Sequence, residues 1–541
     1  MLGLRTKCKR YISILIKNIN SSSYLMFGLI CIIVSTQLSC KNNIKDESIT
    51  IASAGKIDSL DPAQASTFRT LQILSSLGDT LYEVDLKGEL IPKLASGKPK
   101  ISNNKKIVYI PLRKNILFHD GEKFNAEAMA FSINRFMNIG TLNYILSDKI
   151  DNVKAAEEYL LVIELAYPSS SINKLLTSLN LTPISPKSYS NYKDKFLTNN
   201  FVGTGPYKLK FFSSRKQVLI PSEEYWDKKP KNKKINHVSF SNSSALYGAI
   251  VKGDIDLLIS NSIEDTQRRK LHSLSKNQLL KEGIGPANEI SFVSLRTNLP
   301  PFNNQKTREA ISLSLNRSLI SKKVSYGLRE PTQSIIPMIY KSKKSEPWPS
   351  YSPALARNLL KESGYCNGNI LEFELTFRSN IFTDKLIALT WQEQINKDLN
   401  DCLSIKLNGV ESTTIYKNLS EGIYTAVIID WIGSYPDPLA YLAPLLECNE
   451  IIDDICKRGE AVFSGSFWGS QNIQQLLSDS ENLNGQERED KFLLVDQITS
   501  FNSPYIPIWI TKPRAWSRMD ISKPIIDING LVIFELLERL E

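Results

Sequence analysis

The stretch Thr425-Ala426-Val427-Ile428-Ile429-Asp430-Trp431-Ile432-Gly433-Ser434-Tyr435-Pro436-Asp437-Pro438 carries a strand-length apolar run into two carboxylates, two aromatics and two prolines. A short apolar run bounded by turn residues reads as a buried strand, and the prolines stiffen the segment beyond its end. In an α/β layer, ligands collect beyond the carboxyl ends of the strands. Asp430, Trp431 and Asp437 are therefore candidate ligand-binding residues, with the indole as an apolar wall. The competing reading makes Trp431 and Tyr435 half-buried core aromatics and lets Asp437 cap the next turn.

Upstream, Leu371-Glu372-Phe373-Glu374-Leu375-Thr376-Phe377 reads as a strand ending at Arg378. Ile387, Trp391, Ile395 and Leu399 then recur every four residues on one helical face, and Leu403-Ser404-Ile405-Lys406-Leu407 begins another strand. This is a β-α-β unit. Arg378 falls at its carboxyl end, where a guanidinium either holds a ligand carboxylate bidentately or stands as a plain surface arginine. Ser352 caps a helix with Pro353 in its first turn and Gly364 just past its end. Nearer the start, Ser48-Ile49-Thr50-Ile51-Ala52-Ser53 reads as a buried first strand, Leu71, Leu74 and Leu77 share one helical side, and Asn125 caps an amphipathic helix through Met137.

A length of 541 residues exceeds what one core supports, so two or three lobes are expected. Five of the ten net positive charges (Arg5, Lys7, Lys9, Arg10, Lys17) precede residue 40, where there is no acid. The one local lysine cluster, Lys228 to Lys234, is broken by Pro230 and Asn232 and carries no stacking aromatics, so it reads as a solvated loop and no nucleic-acid partner is expected. The basic start precedes the apolar run Tyr24-Leu25-Met26-Phe27-Gly28-Leu29-Ile30-Cys31-Ile32-Ile33-Val34, too short for a spanning helix and suited to a signal-peptide core over residues 1–40. Cys40 comes next in a segment that resembles a bacterial lipobox, with Gln37 where an aliphatic residue is usual. Either lipidation at Cys40 anchors the protein to a membrane, or the leader is cut to a soluble form or kept as an uncleaved anchor. Setting aside Cys8, Cys31 and Cys40, four of the seven cysteines remain. For an exported chain the expected disulfides are Cys366 with Cys402, at one end of neighbouring parallel strands, and Cys448 with Cys456; four free thiols are the alternative.

The order of landmarks is more specific. Leu60-Asp61-Pro62, Phe118-His119-Asp120-Gly121, Val202-Gly203-Thr204-Gly205-Pro206-Tyr207, Tyr225-Trp226, Gly253-Asp254-Ile255-Asp256, Pro300-Pro301-Phe302-Asn303, Ser363-Gly364-Tyr365, the stretch around Trp431 and Pro504-Tyr505-Ile506-Pro507 succeed one another between about residues 48 and 510. Together they resemble the signatures of the family 5 extracellular solute-binding proteins, the oligopeptide, dipeptide and nickel receptors of ABC importers. The resemblance implies an α/β, periplasmic-binding-protein-like two-lobed fold with an extra subdomain, hinged. It places residues 45–85, 203–291 and 505–541 in the first lobe, 86–202 in the subdomain and 292–504 in the second lobe, with crossings near 291 and 505.

The same resemblance implies a monomeric, extracytoplasmic receptor that captures a short peptide or other small organic solute and passes it to an ABC permease. Peptide receptors of this family place an acidic residue three positions after the tryptophan to pair with the peptide ammonium; here Ser434 stands there. Either Asp430 or Asp437 supplies that charge from a shifted position, or the solute lacks a free amino terminus. No cofactor, metal or catalytic residue is expected: His119, His237 and His272 are isolated, Ser466 lacks a nucleophile-elbow pattern, and Asp453-Asp454 reads as a solvated pair. An exported hydrolase with a non-standard site, and a sensory or chaperone-like receptor on the same fold, are the alternatives.

Overall fold

Buried apolar strands gather into two mixed sheets that the chain visits alternately. The computed structural model describes residues 47–85, 88–260 and 263–540. The leader expected over residues 1–40, with Gln37 and the lipidation candidate Cys40, lies outside the described residues.

The first sheet has seven strands, in the spatial order Lys281–Ile284, Arg514–Ser517, Leu257–Ile259, Ile49–Ala54, Ile235–Phe240, Lys216–Pro221 and Tyr207–Ser213. Ile49–Ala54 runs parallel to both neighbours and is buried except at Thr50, as expected of a strand covered on two faces. The second sheet has six strands, in the order Glu330–Pro331, Tyr505–Thr511, Glu289–Leu295, Ala426–Ile432, Leu371–Arg378 and Leu403–Val410. Within it Leu371–Arg378 pairs in parallel with Leu403–Val410, joined by the helix Phe382–Asp398. A four-stranded antiparallel sheet between Lys100 and Leu165 packs against the helix Ala126–Ile139, whose cap is the Asn125 side chain, and forms the added subdomain. Cys366 is bonded to Cys402 and Cys448 to Cys456.

The first crossing falls a few residues before its expected place near 291, and the second falls several residues beyond 505. Glu289–Leu295 and Tyr505–Thr511 are paired neighbours in the second sheet, so residues 289–291 and 505–511 belong there and not to the first lobe. The chain returns to the first sheet at Arg514–Ser517. The switch falls at Lys512-Pro513, where Pro513 has no N–H to offer either ladder. The two connections, residues 285–288 and 512–513, lie side by side: the Gly285 N–H donates to the Pro513 carbonyl at 2.9 Å.

Several sequence landmarks turn out to be ties between elements. Asp61 is buried and accepts both terminal nitrogens of Arg135, at 2.9 and 2.6 Å, which fastens the first lobe to the subdomain helix. Asp79 accepts from Tyr225 Oη, Trp226 Nε1 and Thr204 Oγ1 at 3.0, 2.9 and 3.1 Å. His119 lies 2.9 Å from the Gly205 carbonyl through Nε2, and burial pushes its imidazole down to about 4. Gly205 has to be glycine: a Cβ there would stand 2.4 Å from the Leu77 carbonyl carbon.

Candidate functional site

The strand Ala426–Ile432 extends through Asp430 and Trp431, so these two residues end a strand and do not open a loop. Its parallel neighbour is in register at Leu375 with Ala426, which brings Arg378 and Asp430 to the same sheet edge. Arg378 donates Nη1 and Nη2 to the two Asp430 oxygens, each at 2.7 Å, and Nε and Nη2 to Asp384 at 2.7 and 3.1 Å. Its Nη1 also reaches Tyr416 Oη at 3.1 Å. Burial works against the guanidinium charge, but the Asp430 and Asp384 carboxylates outweigh it and hold Arg378 more firmly protonated than a free arginine.

Two adjoining cavities lie between the lobes beside this edge, and both are lined by Phe68, Asp430 and Ile432. One, of 450 Å³, is mainly apolar; the residues from Asp430 to Pro436 face Phe68 and Leu71 of the first lobe and Tyr144 and Leu179 of the subdomain. The other, of 600 Å³, is charged, with Glu289, Arg329 and Asp384 from the second lobe opposite Arg268 and Arg514 from the first. The lobes are bonded to each other across this region. Asp265 of the first lobe accepts from Thr383 Oγ1 at 2.7 Å and from Arg329 Nε and Nη2 at 3.1 and 3.3 Å. On the subdomain side, Glu481 accepts from Ser169 Oγ, Ser171 N and Ser171 Oγ at 3.0, 3.0 and 2.8 Å, with Lys149 Nζ at 3.4 Å. One buried apolar cluster runs from the subdomain into the second lobe, so the cleft is closed.

Of the residues singled out in the sequence, Asp430, Trp431 and Ser434 line the apolar cavity. Trp431 is half-buried, with Nε1 donating to the Ala440 carbonyl at 2.8 Å, which fixes the plane of the ring. Gly433 lets that segment lie against Tyr441, whose ring a Cβ would approach to 2.6 Å. Asp437 is turned away. It is 2% exposed, both its oxygens accept from Arg488 at 2.9 and 2.6 Å, and Oδ1 takes the Leu439 N–H at 2.9 Å. Asp437 is thus a cap and an ion-pair partner, and it brings no free charge to the cavity. Arg378 lines neither cavity and reaches them through Asp430, Asp384 and Tyr416. Asp430 shares the one Arg378 guanidinium with Asp384, so two carboxylates face a single cation and Asp430, on the cavity wall, is only partly compensated, whereas Asp437 is fully paired.

The remaining residues with suggestive chemistry are structural in their surroundings. His237 is buried between Ser53 and Gln217, His272 pairs with Glu282, and Ser466 is buried beside Tyr505 Oη. Asp453 and Asp454 form an exposed hairpin turn at positive φ. Lining residues that the sequence did not flag include Phe68, Tyr144, Arg268, Glu289, Arg329 and Tyr416. Arg268 sits in Arg268-Arg269-Lys270, which looks like any solvated helix face, and its burial arises only from the packing of distant segments.

The geometry now has known counterparts. The description "Bacterial extracellular solute-binding proteins, family 5 Middle" matches residues 89–453. The chain belongs to this family. Family 5 relatives include the glutathione-binding protein GsiB of Escherichia coli O1:K1, 23% identical over 495 residues that cover 90% of this chain and 93% of the relative. GsiB of Salmonella choleraesuis is 27% identical over 476 residues, covering 86% and 89%. Among solved structures, a dipeptide-binding protein of Pseudoalteromonas in complex with Met-Leu superposes with a TM-score of 0.76 at 20% identity, covering 91% of this chain and all of that one. NikA of Brucella suis in complex with Fe(III)-EDTA gives 0.79 at 19% identity, covering 91% and 99%. The family 5 fold is therefore the one described above, and the chain is an extracytoplasmic solute-binding component of an ABC importer.

Proposed function

We propose that the solute is a short peptide or peptide-like molecule, enclosed by closure of the two lobes between Trp431 and Phe68 and delivered to an ABC permease. The supporting observation is the position of the 450 Å³ cavity, walled at once by both lobes and the subdomain. A ligand there touches surfaces that separate on opening, so it binds the closed form differentially, as capture requires. Asp430, which shares its guanidinium with Asp384, is the carboxylate on the cavity wall that a peptide ammonium can approach, in place of the acid that Ser434 lacks. In this reading Cys40 carries a lipid anchor and the receptor acts as a monomer.

The test is a panel of di-, tri- and tetrapeptides with free and acetylated amino termini, together with glutathione, read by melting temperature and small-angle scattering. A binder at a hundred times its Kd stabilises the fold by about 2.7 kcal/mol. Members with a free amino terminus are expected to bind at least as well as acetylated ones, with compaction on binding. A panel in which no member raises the melting temperature or compacts the protein refutes the reading.

A further inference from the structure

Arg268 and Arg514 stand on the first-lobe wall of the 600 Å³ cavity and are only 4% and 7% exposed. Arg268 Nε and Nη1 have no hydrogen-bond acceptor among the described residues, and neither has Arg514 Nε. The nearest carboxylate to Arg268, Asp265, stays 3.5 Å from Nη1 because Arg329 and Thr383 already engage its oxygens. Arg268 Nη2 meets the Ser260 and Ile263 carbonyls at 3.5 and 3.4 Å, the long limit of such bonds. Arg514 donates Nη1 to Glu282 at 2.5 Å. Buried cationic donors without acceptors are costly to keep, and three of them, on two arginines of one cavity wall, call for an acceptor from outside the fold.

The charges opposite do not fill that role. Asp384 and Asp430 are both committed to Arg378. Glu289 stays 3.6 Å from Arg329, and burial, together with the lesser effect of the Asp430 charge, pushes its carboxyl toward the neutral form. Burial, with the Arg329 charge adding to it, brings Arg268 down to about 10, so a further anion would restore what the fold withholds. We propose that this cavity is an anion subsite in which Arg268 and Arg514 receive a carboxylate of the bound solute, the role that Arg378 is too fully paired to fill. The spare donors are covered in the present arrangement, so engagement turns each guanidinium toward the cavity its side chain already lines. This assignment rests on the peptide-receptor reading and narrows it to solutes carrying an acid group that reaches past Phe68 and Asp430.

The experiment is calorimetric titration of the full chain with trialanine and with trialanine amide, on the wild type, Arg268→Gln, Arg268→Lys and Arg514→Gln. Amidation is expected to weaken wild-type binding by about tenfold to a hundredfold, the range for a charge-assisted pair. That penalty should fall to within about threefold in Arg268→Gln and be intermediate in Arg514→Gln. Equal affinity of acid and amide for the wild type overturns the subsite and leaves the receptor reading standing. If neither compound nor any member of the peptide panel binds, the peptide reading is what fails, and titration with succinate decides the subsite. A rise in melting temperature present in wild type and absent in Arg268→Gln supports it, and equal shifts overturn it. Should Arg268→Gln not fold, Arg268→Lys and Arg514→Gln carry the same comparison.

Discussion

Asp437→Asn separates support of the cleft wall from contact with the solute. Asp437 and Arg488 expose 2% and 13% of their side chains, and two short bonds join them. The substitution keeps the shape but leaves the Arg488 cation facing an amide. Breaking a buried pair from one side costs about 3–5 kcal/mol. The residual exposure of Arg488 and the nearby charge of Glu481 place the expected loss near the bottom of that range, about 3 kcal/mol. For a unit spanning Ser48–Glu541, unfolding entropy amounts to about 1 kcal/mol per degree, so the melting temperature should fall by about 3 °C. Replacing Arg488 with Met in the same chain should recover part of that loss, because the orphaned cation is gone. Calorimetric melts of the three proteins, with titration of any solute the panel identifies, make the measurement. Asp437→Asn should leave affinity within about twofold, whereas Asp430→Asn, on the cavity wall, should change it by about tenfold. An Asp437→Asn protein with unchanged melting temperature and strongly altered affinity would refute this placement.

Three further outcomes concern stability and covalent structure. Asp496 is buried beside Ser334 and Lys341, and burial pushes its carboxyl up from 3.8 to about 6. A carboxyl that holds its proton more tightly when folded stabilises the fold most at low pH and loses that contribution between about pH 4 and 6, so Asp496→Asn should flatten the decline of stability across that window in denaturant melts. Digestion without reduction should release the linked peptides Cys366 with Cys402 and Cys448 with Cys456, and removing the first bridge, 36 residues apart, should cost about 4 kcal/mol in urea unfolding; free thiols at these positions in mass spectra would contradict the pairing. Gly433→Ala forces a methyl against the Tyr441 ring and should cost about 1–3 kcal/mol while weakening solute binding, and a neutral result would mean the segment yields freely.

Local periodicity made the β-α-β unit from Leu371 to Val410 legible, because alternation and a four-residue repeat are carried by neighbours in sequence. The caps at Asn125 and Ser352 were legible for the same reason. The crossings were not. Tyr505–Thr511 is buried throughout, and no pattern within it says which of two sheets receives it. The cleft divides similarly. Trp431 and Asp430 stand out because a strand ends in polar residues, whereas Arg488 lies about fifty residues beyond Asp437 in a helix whose composition looks solvated. Whether a carboxylate meets a solute or a buried guanidinium depends on such distant partners, Arg488 for Asp437 and Asp430 for Arg378.

The paired connections at residues 285–288 and 512–513 have a mechanical meaning. Two short leaves set side by side and bonded to each other through Gly285 and Pro513 have the form of a flexure, which bends about one line more readily than it twists. Lobes joined this way would move along one coordinate, so a partner touching both would read one variable, the width of the gap.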